Sequence, residues 1–260
     1  MIDWLYTLPE LSVLGLTILI LVALIVFLPR LIRHIPGLAP SDAHSDFVLR
    51  MQATLFTMTS LVLAFTLVQA DINFRQADAL VSSEAARIDQ LDRLLTRYGS
   101  DQARAVRPML KAYAQSIVDR EWPAMLRDKG DRTTDQAFAP ISRHILALNP
   151  TSNRETLIMG EMLKSLDAIA DLRASRLNIV TVALPLLYWY VVLFAVAMLI
   201  FVSCTIQQTA FRAIILSAQA AVVGAFLGFV FVMDQPFKGD GAVDPDAIVR
   251  VIARMQARSE

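Results

Sequence analysis

The chain has 260 residues, 55% of them hydrophobic and 18% charged, a balance too apolar for an ordinary soluble domain. Its 24 basic and 24 acidic side chains cancel, which implies no nucleic-acid partner. The single cysteine, Cys204, excludes an internal disulfide and a cysteine-based metal site.

In chain order, the first apolar run covers 11–28. Asp3 and Glu10 precede it in place of lysines, and no small-residue cleavage site follows it, so it reads as a retained span rather than a signal peptide. From residue 41 to residue 98 there is no glycine and no proline. The first part of that stretch (47–70) is apolar enough to cross a bilayer, and the rest is charged and amphipathic. Read as one helix, it would be roughly 80 Å long, more than twice a hydrocarbon core.

The block 71–176 lacks alternating Val/Ile/Thr runs and reads as helical throughout. Leu80, Ile88, Leu91, Leu94 and Leu95 continue the long helix as a stripe. Gly99 suits its C-terminal cap, and Ser100 or Asp101 the next N-cap. Leu110, Tyr113, Ile117 and Val118 mark a second helix expected to stop near Trp122-Pro123. A polar loop covers 127–134, and a third helix covers roughly 135–148. Asn149-Pro150-Thr151-Ser152 is a turn and cap signal. After it a second long run reaches 184, with Leu157, Leu163, Leu166, Ile169 and Leu172 as its apolar face. It is expected to continue directly into a third span at 179–206, kinked at Pro185. A fourth span covers 213–233. Asp244-Pro245-Asp246 then starts a short helix whose apolar side is Ile248, Val251, Ile252 and Met255. Two places remain open for that helix, the membrane surface and the bundle.

The expected architecture is therefore all-α. Two transmembrane helices (1–70) precede a helical bundle (71–176), which is followed by two more transmembrane helices (177–234) and an amphipathic tail (235–260).

Gln52, Thr59, Thr66 and Asn73 recur every seventh residue on the second span. On a helix they drift by only about 20° per step and form one polar line, with Phe56 and Leu63 beside it. This pattern suits a pore-lining helix, with polar rungs between apolar constrictions. It also suits hydrogen bonds to neighbouring helices of the same chain, which are common for such residues in membrane helices. Gly224 and Gly228, four apart on the fourth span, make a close-packing face. Glu84, Arg87, Arg173 and Arg176 sit on the two long helices. Arg173 and Arg176 share a face, and Glu84 is expected to pair with one of the arginines. His34, His44 and His144 have no metal-ligand spacing. With no phosphate loop and no nucleophile elbow, the sequence indicates no catalytic residues, no metal site and no cofactor. An enzyme is not expected.

Glu84-Ala85-Ala86-Arg87-Ile88, Tyr113 to Glu121-Trp122-Pro123, Arg173-Ala174-Ser175-Arg176-Leu177 and Asp234-Gln235-Pro236-Phe237-Lys238-Gly239 follow one another in a set order relative to the four spans. In that order and spacing the chain resembles the bacterial bestrophin-like membrane proteins, the group known as domain of unknown function 4239. The resemblance covers nearly the whole chain. It implies a multi-pass protein of the bacterial inner membrane, whose partners are the lipid bilayer and further copies of itself. By analogy with bestrophins it also implies a pentameric anion channel lined by the second membrane helix, with a permeant anion as ligand. The sequence departs from animal bestrophins in lacking a clustered acidic calcium clasp, since Asp240, Asp244 and Asp246 are sparse. The competing class is a non-conducting sensor or scaffold whose bundle binds a partner.

Overall fold

The computed structural model describes residues 9–32, 45–180, 184–207, 209–239 and 241–258, apart from the side chains of residues 31, 32 and 45. Asp3, His34, His44 and Asp240 lie outside the described residues, as do 41–44 of the long glycine-free stretch. Among the described residues there are helices and no strand. They are α1 (Glu10–Ile32), α2 (Ser45–Tyr98), α3 (Asp101–Ser116), a π-helical turn (Ile117–Glu121), α4 (Trp122–Met125), α5 (Arg132–Leu146), α6 (Asn153–Val180), α7 (Leu186–Cys204), α8 (Ala210–Met233) and α9 (Asp246–Ala257).

Helix α2 runs unbroken for 54 residues because nothing in it removes a donor or loosens the backbone. It ends where Gly99 takes φ +83°, the left-handed conformation that suits glycine. The side chain of Ser100 then caps α3 by accepting the Ala103 N–H. Asp131 caps α5 in the same way through Thr134, and Thr209 caps α8 through Arg212.

The chain divides into two compact units. The first combines Met1–Phe74 with Ala183–Ala242. Four helices are long and apolar enough to cross a membrane: α1, α7, α8 and α2, the last of which carries its apolar window in its first part. Many large apolar side chains face outward, among them Leu19, Phe27, Phe194 and Phe211. In water that surface would be costly; against lipid it is the expected one. Inside the unit, Leu21 and Ile25 of α1, Leu63 of α2, Val196 of α7 and Val223 of α8 share a buried cluster.

One expectation is corrected in this unit. The second long run does not pass helically through Pro185. Helix α6 is described to Val180, and α7 starts at Leu186 with Pro185 as its N-cap, at φ −52° and ψ 139°. Proline has no N–H to continue a helix and pushes the preceding residue out of the helical region. The freed Leu184 N–H donates instead to Asp234 Oδ1 at 2.7 Å, so the aspartate of the Asp-Gln-Pro-Phe segment holds the entrance to α7.

The second unit combines Arg75–Val182 with Val243–Glu260. It is a helical bundle in which α3 packs on α5 and on α9, and α5 on α6. Ile88, Leu91 and Leu95 of α2 are fully buried, as are Leu110 and Tyr113 of α3 and Ile141 of α5. Tyr113 and Phe138 stack at an angle with ring centroids 5.1 Å apart. Met162 and Ile169 supply the buried face of α6, whereas Leu157 is exposed and not part of it. Helix α9 resolves the alternative left open for the tail. Ile248, Val251, Ile252 and Met255 are buried, so it packs on the bundle through its apolar side.

Candidate functional site

Buried polar side chains occur in both units. In the bundle, the helix expected to stop at Trp122-Pro123 continues through a π turn into α4. Pro123 offers no N–H, and the Trp122 N–H reaches back five residues to the Ile117 carbonyl. A π turn adds one residue to a turn and rotates the downstream residues by about 100°. Glu121 is thereby fully buried beside α6.

Arg176 of α6 lies between two glutamates. Its Nε is 2.6 Å from Glu84 Oε2, and its Nη2 is 2.7 Å from Glu121 Oε2. The third nitrogen, Nη1, is 2.8 Å from Met125 Sδ, and the Trp122 ring centroid lies 5.6 Å from Cζ. Glu84, Glu121 and Arg176 all have 0% exposure. Arg173, one turn earlier, takes the other oxygen of Glu121 at 2.6 Å and Asp135 at 2.7 Å. Charges therefore alternate along one line: Glu84, Arg176, Glu121, Arg173, Asp135. Burial by itself would lower the Arg176 guanidinium, but Glu84 and then Glu121 outweigh it and hold Arg176 above its ordinary range. The Tyr113 phenol beside this line is raised by burial first and by Glu84 second.

Of the four charges singled out in the sequence, the structure brings Glu84 and Arg176 together. Arg173 joins them only through Glu121. Arg87 stays on the surface, donating to Gln90 Oε1 at 2.8 Å. Sequence reasoning missed the bridging role of Glu121. It also missed a second buried group, in which Asp89 and Asp92 of α2 meet Arg107 of α3 and Arg258 just past α9. The unusual Glu-Trp-Pro order was the available signal for the first. For the second there was none, because Arg258 is 166 residues from Asp92.

In the membrane unit, the polar line of α2 turns toward its own chain. Gln52, Thr59, Leu63 and Thr66 are 1–3% exposed, and Phe56 and Asn73 are half-buried. Gln52 Nε2 donates to Ser203 Oγ at 2.7 Å, and Thr59 Oγ1 reaches the Ala195 carbonyl at 3.5 Å, both on α7. Thr66 bonds its own Val62 carbonyl. These bonds all lie within one chain. Gly224 and Gly228 face α1: a Cβ added at Gly224 would lie 2.8 Å from Ile18 Cα, and one at Gly228 3.2 Å from Leu14 Cα. The approach lets Thr17 Oγ1 donate to the Gly224 carbonyl at 2.9 Å.

These features define an all-α, multi-pass membrane protein with a charged, buried bundle core. The chain belongs to the bestrophin-like family: the family's Bestrophin-like domain matches residues 17–248. Two similar solved structures are of a bacterial bestrophin homologue from Klebsiella pneumoniae. One is a tryptophan-to-alanine variant with a TM-score of 0.70 at 15% identity, covering 95% of this chain and 97% of that one. The other has a TM-score of 0.67 at 15% identity, covering 95% and 98%. At that identity the likeness is one of fold. No curated protein matches the chain by sequence.

Proposed function

We propose that this protein is a passive anion channel formed by a ring of identical chains, five if the bestrophin analogy holds, with α2 nearest the axis. The observation that carries the reading is the free face of α2. Met51, Met58, Phe65 and Ile72 recur every seventh residue, and Leu61 and Val68 fall between them on the same side. All six are 42–65% exposed in the single chain. That spacing is the one helices use when they gather about a common axis. Bulky apolar rings at that axis would make a narrow constriction of the kind that gates by dewetting. Gln52 and Thr59 of the polar line, on a different side of the helix, then hold α2 against α7. Anion choice comes from the family analogy.

Single cysteines in a Cys204→Ser background test this arrangement. In bilayers, an aqueous thiol reagent is expected to block current through channels carrying Met58→Cys, Leu61→Cys or Phe65→Cys. It should leave Thr59→Cys and Leu63→Cys unaffected. Block at Thr59 and Leu63 but not at Phe65 would return the pore to the polar line. Absence of current from every variant and from the parent would favour a sensor or scaffold.

A further inference from the structure

Near one end of the membrane unit, α2, α8 and Ile206 of the α7–α8 connection line a pocket of about 280 Å³. Its walls are largely apolar, with Phe211, Ile215 and Leu216 among them, and three polar side chains line it: Gln52, Gln219 and Arg212. Ser203 sets the orientation of Gln52. The one hydroxyl proton of Ser203 goes to the Leu199 carbonyl at 2.7 Å, so its oxygen must accept from Gln52 Nε2 at 2.7 Å. This leaves Gln52 Oε1 as an acceptor, and it has no hydrogen-bond partner although Gln52 is only 3% exposed. Gln219 Oε1 is also buried and unpartnered. Two unpartnered buried acceptors, on side chains that line one apolar pocket, are costly unless a donor reaches them. Arg212 sits in the first turn of α8, where the exposed N–H groups and its guanidinium both favour an anion. The last turn of α7 and the first turn of α8 lie at this end, so the pocket opens at the depth where a lipid headgroup meets its chains.

We propose that this pocket binds the headgroup of a phospholipid that carries N–H or O–H donors beside its phosphate. The phosphate lies at Arg212, the donors reach Gln52 and Gln219, and the chains run over Phe211 and Ile215. Ethanolamine and glycerol headgroups both have these donors. Choline has the phosphate but no donor, which makes it the discriminating control.

The experiment uses the full chain, stripped of lipid in detergent and offered phosphatidylethanolamine, phosphatidylglycerol or phosphatidylcholine in mixed micelles. Bound lipid is counted by native mass spectrometry. Retention of at least one donor-bearing lipid should exceed that of phosphatidylcholine by about tenfold, the order expected of two hydrogen bonds. Preference for the ethanolamine lipid alone would assign the donor as ammonium, and for the glycerol lipid alone as hydroxyl. Gln219→Leu should cut the preference to about threefold, the share of one remaining hydrogen bond, while leaving the thermal transition of the lipid-free protein unchanged or higher, because it removes an unpaired buried acceptor. If that variant does not fold, Gln52→Met should lower the preference in the same way, with some loss of stability because it also removes the bond to Ser203. Arg212→Gln should reduce retention of all three lipids. Equal retention of the three lipids would overturn the proposal, as would no retained lipid with water filling the cavity. So would a preference left undiminished by Gln219→Leu.

Discussion

Replacing Arg176 with methionine is expected to destabilise the helical bundle by about 3–5 kcal/mol, the usual cost of leaving a buried charge without its partner. The cost is set by what remains. Glu84 and Glu121 are both fully buried and both directed at the Arg176 guanidinium, so its loss strands Glu84 and leaves Glu121 with one of its two arginines. Arg173 still donates to both oxygens of Glu121, but nothing in the line reaches Glu84. The glutamates would have to protonate or pull apart, and either response loosens α6 from α2 and from the π turn. Arg176→Lys should recover only part of the loss, since one ammonium cannot match the fork that meets Glu84 and Glu121 together. Exchanging the charges, with Glu84→Arg and Arg176→Glu in one chain, should also rescue poorly, because the new glutamate would face Glu121. Urea titration of the helical signal gives the stability change, and hydrogen exchange in α6 locates it. Less than about 1 kcal/mol for Arg176→Met would mean that the line is solvated in solution.

Gly224→Leu is expected to cost roughly 3 kcal/mol in the membrane unit, at the upper end of ordinary overpacking. The first added atom, a Cβ, would fall 2.8 Å from the Ile18 backbone, and backbone cannot move aside as the tip of a side chain can. Helices α1 and α8 would have to separate, which also breaks the Thr17 bond to the Gly224 carbonyl. Gly15→Leu is the matched control, because a Cβ there meets nothing within 4 Å. Thermal unfolding in detergent should show a clear loss for the first variant and little for the second. Equal effects would mean that hydrophobic bulk anywhere on these helices matters more than the close approach.

How far the sequence could be read depended on the range of the signal. The continuity of α2 was legible because helix breakers act locally, and their absence over so long a stretch has few other readings. The stop at Gly99 was legible for the same reason. The polar line of α2 was legible as a line, because periodicity reveals which residues share a face. What covers that face is a tertiary fact, and Ser203 and Ala195, which cover it, lie some 140 residues away. Glu121 was hidden differently. Proline marked the helix end by its usual rule, but a π turn absorbed the missing donor and turned the glutamate inward. The meeting of Arg258 with Asp89 and Asp92 depends on where α9 docks, which no local pattern in a short amphipathic helix specifies.

The central claim, a ring of chains conducting anions about α2, is tested most directly by chloride efflux from vesicles holding the purified protein at a measured subunit number. The expected result is a single oligomer above the dimer whose chloride efflux exceeds that of empty vesicles, with Phe65→Ala raising the rate by widening the apolar constriction. A monomer whose vesicles release chloride no faster than empty ones would contradict the account.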